Sequence, residues 1–275
     1  MTTATITETG GPTDVAREAD ADAPTGRTTL LTDTVTVFVR ELRPMLRDPF
    51  SVIFSMIQPL FFLALFAPLL PKADDGGSAL QWFVPGIVVM SCLFGTSMTG
   101  SNLLFEIQTG SHERMLVTPL RRPALLLGRA LKEIAPTFVQ ALIIVVICVP
   151  FSFDLHVGGV LVGLLILSLL CVGLGALSYA LALASAQQTW LFWAVQQTLL
   201  FPLLLLAGVL LPLDDAPGWL KALSAANPLS YVVDAERRLF AGEVLAADTL
   251  WGLLAAGAVA ALGLVVGTRA MSRAS

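Results

Sequence analysis

From Val37 onward the chain alternates long apolar runs with short polar breaks. A helix that crosses a bilayer needs about 20 mostly apolar residues. Six runs meet that length: 50–70, 81–105, 134–153, 157–185, 190–212 and 249–268, and none of them contains a charged residue. Backbone polar groups in hydrocarbon must be satisfied within the segment, so runs this long predict helices. Period-two alternation is weak, which argues against a β-barrel. The pattern therefore predicts an all-α polytopic membrane protein with six transmembrane helices. Gly159 with Gly163, and Gly263 with Gly267, stand at helical spacing. Such pairs allow close helix approach, either within the chain or at a dimer seam.

Three polar stretches have patterns of their own. Residues 37–49 mix apolar positions with Arg40, Glu41, Arg43 and Arg47. They predict an N-terminal interfacial helix whose arginines reach the headgroups, or more plainly a positive flank to the first span. In residues 106–133, Ser111 can cap a helix that starts at His112. Glu113 and Arg114 there accompany the apolar Met115 and Leu116, and Thr118-Pro119 interrupts the helix. A second helical stretch, 124–133, leads into the third span. A short amphipathic helix on such a loop suits a docking peg for a soluble partner.

The third stretch, residues 213–248, is about three times the usual connection length. Trp219, Leu220 and Leu223 give one short apolar face, and Pro228, Leu229, Tyr231 and Val232 begin another. They predict two external re-entrant helices that dip into the outer leaflet and cap a cavity. A surface loop with aromatics at the headgroup level is the alternative.

Composition agrees with the span pattern. The chain has 275 residues, of which 56% are hydrophobic and 13% charged, where a soluble domain carries about a quarter charged. With the N-terminus inside, only Lys72, Lys221, Arg237 and Arg238 of the Lys and Arg residues fall outside. The positive-inside rule then places both termini and the loop 106–133 in the cytosol. Residues 1–33 are Thr- and Ala-rich and acidic, with no basic start and apolar run of a signal peptide. They are expected to form a disordered cytosolic tail before a transmembrane domain over 34–275. Cys92, Cys148 and Cys171 lie within apolar runs and act there as small apolar residues. The basic residues flank spans and form no separate basic domain, so nucleic acid is not an expected partner.

The chemistry the sequence lacks narrows the function. There is no Gly-Lys dipeptide, hence no G-x-x-x-x-G-K-[ST] phosphate loop, and this chain is not itself a nucleotide-hydrolysing engine. It carries neither a second His of a zinc-protease motif nor a G-x-S-x-G elbow. With charge-free spans, an ion-coupled relay has no intramembrane group to use. Energy for uphill movement would have to come from elsewhere.

Several strings then carry a resemblance: Arg47-Asp48-Pro49, Phe83-Val84-Pro85-Gly86-Ile87, and Glu113-Arg114 through Thr118-Pro119-Leu120. Pro217-Gly218-Trp219-Leu220 and Asn227-Pro228-Leu229-Ser230-Tyr231 continue it. In this order, on this topology, the chain from Val37 to the C-terminus resembles an ATP-binding-cassette type-2 permease, and within that family the daunorubicin-exporter kind. The resemblance implies the membrane half of an exporter of hydrophobic or amphiphilic small molecules in a bacterial plasma membrane. It implies no cofactor on this chain, with ATP and Mg on a separate ATPase subunit. A second permease copy or paralogue would complete the unit. Ser111, His112, Glu113, Arg114, Met115, Leu116, Thr118 and Pro119 would form the coupling helix. Spans two and five would line the substrate path, span two offering Phe94, Met98 and Asn102 and span five Phe192, Gln196, Gln197 and Phe201. Export of a lipid or lipid-linked polysaccharide, or a non-transport role as a membrane assembly or sensor subunit, are the alternatives at this point.

Overall fold

The structure, a computed structural model, describes residues 29–47, 49–69, 79–111, 122–151, 153–213 and 216–273. All regular elements among them are helical. The chain begins with α1, Leu30–Arg47, and α2, Pro49–Phe66, which runs into a short 3-10 turn, Ala67–Leu69. It continues through α3, Ala79–Gln108, α4, Arg122–Lys132, and α5, Ile134–Cys148. Then come α6, Val157–Ala184, α7, Thr189–Leu206, α8, Gly218–Ala225, α9, Pro228–Phe240, and α10, Ala247–Arg273.

Among the described residues, five helical stretches are long and apolar enough to cross a membrane: Ala79–Gln108, Pro123–Phe151, Val157–Ala184, Thr189–Leu206 and Ala247–Arg273. The expected first span, 50–70, is represented by the shorter apolar helix Ile53–Leu69. Each of the six expected runs is thus helical among the described residues, five of them in stretches of full span length. Span three also differs from its expected start at residue 134. Only Glu133 separates α4 from α5, so the helical rod begins at Pro123 and takes in charged residues. Span five ends at Leu206 rather than at 212. Gly208 adopts φ 66, and its N–H donates to the Leu205 carbonyl at 3.2 Å, the left-handed stop that glycine provides. The tail 1–28 and the segment 112–121 lie outside the described residues.

The centre of the bundle is α3 against α6, with α10 on the far side of α6. Close backbone approach makes this possible. A Cβ at Gly173 of α6 would lie 2.6 Å from the α10 backbone, and one at Gly263 of α10 would overlap the Gly173 carbonyl. Gly159 and Gly163 of α6 face α9, and Gly267 faces Leu126 and Ala176. Both glycine pairs are therefore used within the chain. Small residues let helices meet where lipid offers no hydrophobic drive.

Polar side chains inside α3 are satisfied locally. Ser91, Thr96 and Ser97 donate to carbonyls four residues back at 2.8–2.9 Å, so they add no unpaired group to the apolar interior. The large buried side chains Phe83, Ile87, Met90, Ile144 and Ile166 fill the main core. A second cluster around Leu103, Leu126, Tyr179 and Phe192 fills the end nearest the loop 106–133. By contrast, α2 leaves Phe50, Phe54, Ile57 and Phe61 exposed, an apolar face suited to lipid.

Candidate functional site

Two polar assemblies lie at opposite ends of the bundle. The first is built on α4. Its apolar positions Leu125, Leu126 and Ala130 are buried, and Arg129 follows them on the same face at helical spacing. Arg129 is 4% exposed. It pairs with Glu106 at the end of α3 and with Glu41 of α1 at 3.5 Å. Its guanidinium also sits 5.6 Å from the centre of the Tyr179 ring on α6. One side chain therefore joins α1, α3, α4 and α6. Nearby, Glu133 accepts from the Thr99 hydroxyl at 2.9 Å and pairs with Lys132 at 3.4 Å. Arg129 is thus the hub of this end.

Around the hub, α1 packs along α4, where a Cβ at Gly128 would lie 2.7 Å from the Val37 side chain. Arg40, Arg43 and Arg47 are exposed on the opposite face of α1, as an interfacial helix requires. Gly110, at φ 69, turns the chain away from α3 and delivers Ser111. Of the expected coupling-helix residues, Ser111 is described and half-buried. His112, Glu113, Arg114, Met115, Leu116, Thr118 and Pro119 lie outside the described residues.

The second assembly is formed by α8 and α9. The Asn227 side chain caps α9, accepting from the Leu229 N–H at 3.1 Å, and donates to the Leu203 carbonyl of α7 at 2.7 Å. An N-cap of this kind is worth about 1 kcal/mol. Arg237 stacks on Trp82, its guanidinium 3.8 Å from the ring centre. It also donates to the Gly208 carbonyl at 2.6 Å and the Trp82 carbonyl at 3.3 Å. This fork closes α9 onto the ends of α3 and α7. Gln81 donates to the Phe240 carbonyl at 2.6 Å, and His156 Nδ1 donates to the same carbonyl at 3.1 Å. Beside the clamp lies a cavity of about 720 Å³ whose lining includes Trp82, Gly208, Lys221, Ser230, Arg237 and Asp248.

The same helix buries a carboxylate. Leu229, Val232, Val233, Glu236, Leu239 and Phe240 form the buried face of α9, and Glu236 is 0% exposed. Neither of its oxygens has a hydrogen-bond partner among the described residues. Burial pushes this carboxyl up to about 8. Glu236 and Glu133 place carboxylates inside the bundle although the apolar runs themselves are charge-free. Both lie outside the apolar runs yet fold into the interior.

The expected substrate-path residues separate. Phe94 and Phe201 meet edge to face at 6.5 Å. Phe192 is fully buried and packs where Gly100 has no side chain. It is a core residue in this state. Met98, Asn102 and Gln197 are exposed on the surface of the single chain, and Gln196 is half-buried.

Residues 32–240 match the family described as ABC-2 type transporter. The chain belongs to that family. The match runs from α1 through α9 and so includes the Arg129 hub, the Arg237 clamp and Glu236. Among its relatives is a protein named as the transport permease ycf38 of Cyanophora paradoxa. It is 33% identical over 201 residues, covering 70% of this chain and 69% of that one. The daunorubicin resistance ABC transporter permease protein DrrB1 of Streptomyces coeruleorubidus is 27% identical, covering 78% of this chain and 77% of its own. A protein of Mycobacterium tuberculosis named as a doxorubicin resistance ABC transporter permease, DrrC, is 26% identical over 70% of each chain. In this permease the strings Phe83–Ile87 and Asn227–Tyr231 have structural duties. Gly86 admits the Val209 carbonyl, where a Cβ would lie at 3.0 Å. Asn227 and Ser230 tie α9 to α7, Ser230 donating to the Leu206 carbonyl at 3.1 Å.

Proposed function

We propose that this permease is the membrane-spanning subunit of an ATP-driven exporter that moves hydrophobic or amphiphilic small molecules out of a bacterial cell. The Arg129 hub carries the reading. It ties the loop 106–133 to α1, α3 and α6, which gives a push on that loop a rigid path into the bundle. Family membership supports a separate ABC ATPase as the source of that push, since this chain has no phosphate-binding loop. ATP and Mg would sit on that partner, and a second permease copy or paralogue would complete the unit. The drug-resistance names of two relatives support the substrate class.

In this reading the loop faces the cytosol, with both termini inside. The segment Ser111–Pro119 is the contact with the ATPase. The α8–α9 pair forms two re-entrant helices that cap the outer end, with Arg237 holding the cap shut. Phe94 and Phe201 stand where spans two and five approach, next to the amides Asn102, Gln196 and Gln197 and to Met98. Co-purification with a cassette ATPase tests the coupling role. Glu113→Arg and Arg114→Glu should each lower ATPase recovery severalfold with the permease still inserted. Normal recovery in both would remove the coupling assignment.

A further inference from the structure

Arg129 and Glu133 are buried with charge partners, whereas Glu236 is buried without one. Its place is nevertheless built for it. The carboxylate occupies the slot left by Gly163 of α6, where a Cβ would overlap Oε2. One turn away, Gly159 admits the Leu239 backbone, and Gly252 of α10 admits Ala235. Thus α9 is seated on two glycine-lined helices, with Glu236 at the seam.

The charged and titratable groups around the seam are engaged elsewhere. On α9 itself, Arg237 binds the Gly208 and Trp82 carbonyls and pairs with Asp234, while Arg238 pairs with Glu243 and with Asp248 of α10. At the head of α6, His156 binds the Phe240 carbonyl. Lys221 of α8 lines the polar cavity. Deeper along α6 and α3, Cys171 and Cys92 lie with their sulfurs 3.0 Å apart. Glu106 of α3 belongs to the Arg129 hub, and Arg269 and Arg273 stand near the C-terminus of α10. No titratable side chain occurs on α7. None of these cations is bonded to Glu236.

We infer that Glu236 is a proton-binding site: the α9–α6 seam holds the neutral carboxylic acid, and lifting α9 away from Gly163 hands its proton to water. An unpaired carboxylate in an apolar interior takes up a proton instead of remaining charged. Once exposed, the same group would ionise near about 4.3. Between that value and about 8, seating α9 takes up one proton, so each pH unit weakens seating about tenfold. Below and above that window seating does not vary with pH. The assignment stands on the packing of α9 and holds whether or not the chain transports anything.

Infrared titration of the full chain in lipid nanodiscs tests it, read at the C=O stretch of a protonated carboxyl. The wild-type band should be present at pH about 6 and disappear with a midpoint near 8. It should be lost in Glu236→Gln and equally in the apolar Glu236→Leu, which leaves no polar group to bury should the amide impair folding. No such band in the wild type at pH about 6, or an unchanged titration in either variant, would overturn the assignment.

Discussion

The guanidinium of Arg129 on α4 pairs with the carboxylate of Glu106 on α3, residues that flank the segment 112–121 in the sequence. The loop proposed to receive the ATPase is therefore closed at its base by an ion pair. Glu41 of α1 joins the same guanidinium. In the proposed coupling, a displacement of the loop would reach α1, α3 and α4 through this one side chain.

Removing the hub cation should be costly. Arg129→Ala leaves Glu41 and Glu106 without their shared partner, and breaking a buried pair in this way costs about 3 kcal/mol. The lower melting temperature should be accompanied by loss of ATPase stimulation by substrate. Arg129→Lys keeps the charge but not the fork, so it should retain more stability while still uncoupling. Thermal unfolding and ATPase rates of the reconstituted complex read both effects.

The outer clamp gives a separate prediction. Arg237→Ala loses the stack on Trp82 and two carbonyl bonds, about 2 kcal/mol in all. The ends of α3 and α7 should loosen from α9. Labelling of a cysteine placed at Ser230, in the cavity wall, should then be several times faster. An unchanged labelling rate would show that the clamp does not hold the cap.

The Gly163 slot can be probed by coupling. Gly163→Ala forces a methyl into the Glu236 carboxylate and should cost about 2 kcal/mol by overpacking. In a Glu236→Ala background the slot is vacant, so the same change should cost much less. Non-additive melting temperatures across the four proteins would establish the contact. Additive ones would refute it.

The pH dependence has a definite sign. Because burial raises Glu236 to about 8, the folded state holds a proton that the unfolded state releases near about 4.3. Its contribution is fully present below the unfolded value and is lost as pH climbs to about 8. Glu236→Gln should therefore gain stability relative to the wild type from pH about 5 to 8, with a constant difference above. Paired thermal melts across that range measure the divergence.

The apolar runs made most of the fold legible, since charge-free stretches of this length have few alternatives to helix. Asn227-Pro228 was readable as a helix start and is one. The buried ions were hidden by composition. Both charged stretches, 234–238 and 124–133, read as helical, but a count of their charges does not show which of them turn inward. Their helical phase held the signal: Glu236 stands at the position continuing Leu229, Val232 and Val233, and Arg129 continues Leu125 and Leu126. A charge in phase with an apolar stripe is a buried charge, and it needs either partners or a proton.

ATP-driven movement of an aromatic amphiphile such as daunorubicin into inside-out vesicles decides whether this permease is the membrane subunit of an exporter. With the permease and its cassette ATPase together, uptake should require ATP and should fall at least tenfold in Glu113→Arg and Arg114→Glu at equal membrane insertion. Uptake without nucleotide would exclude ATP-driven export, and full ATP-driven uptake in both variants would exclude coupling through Glu113 and Arg114.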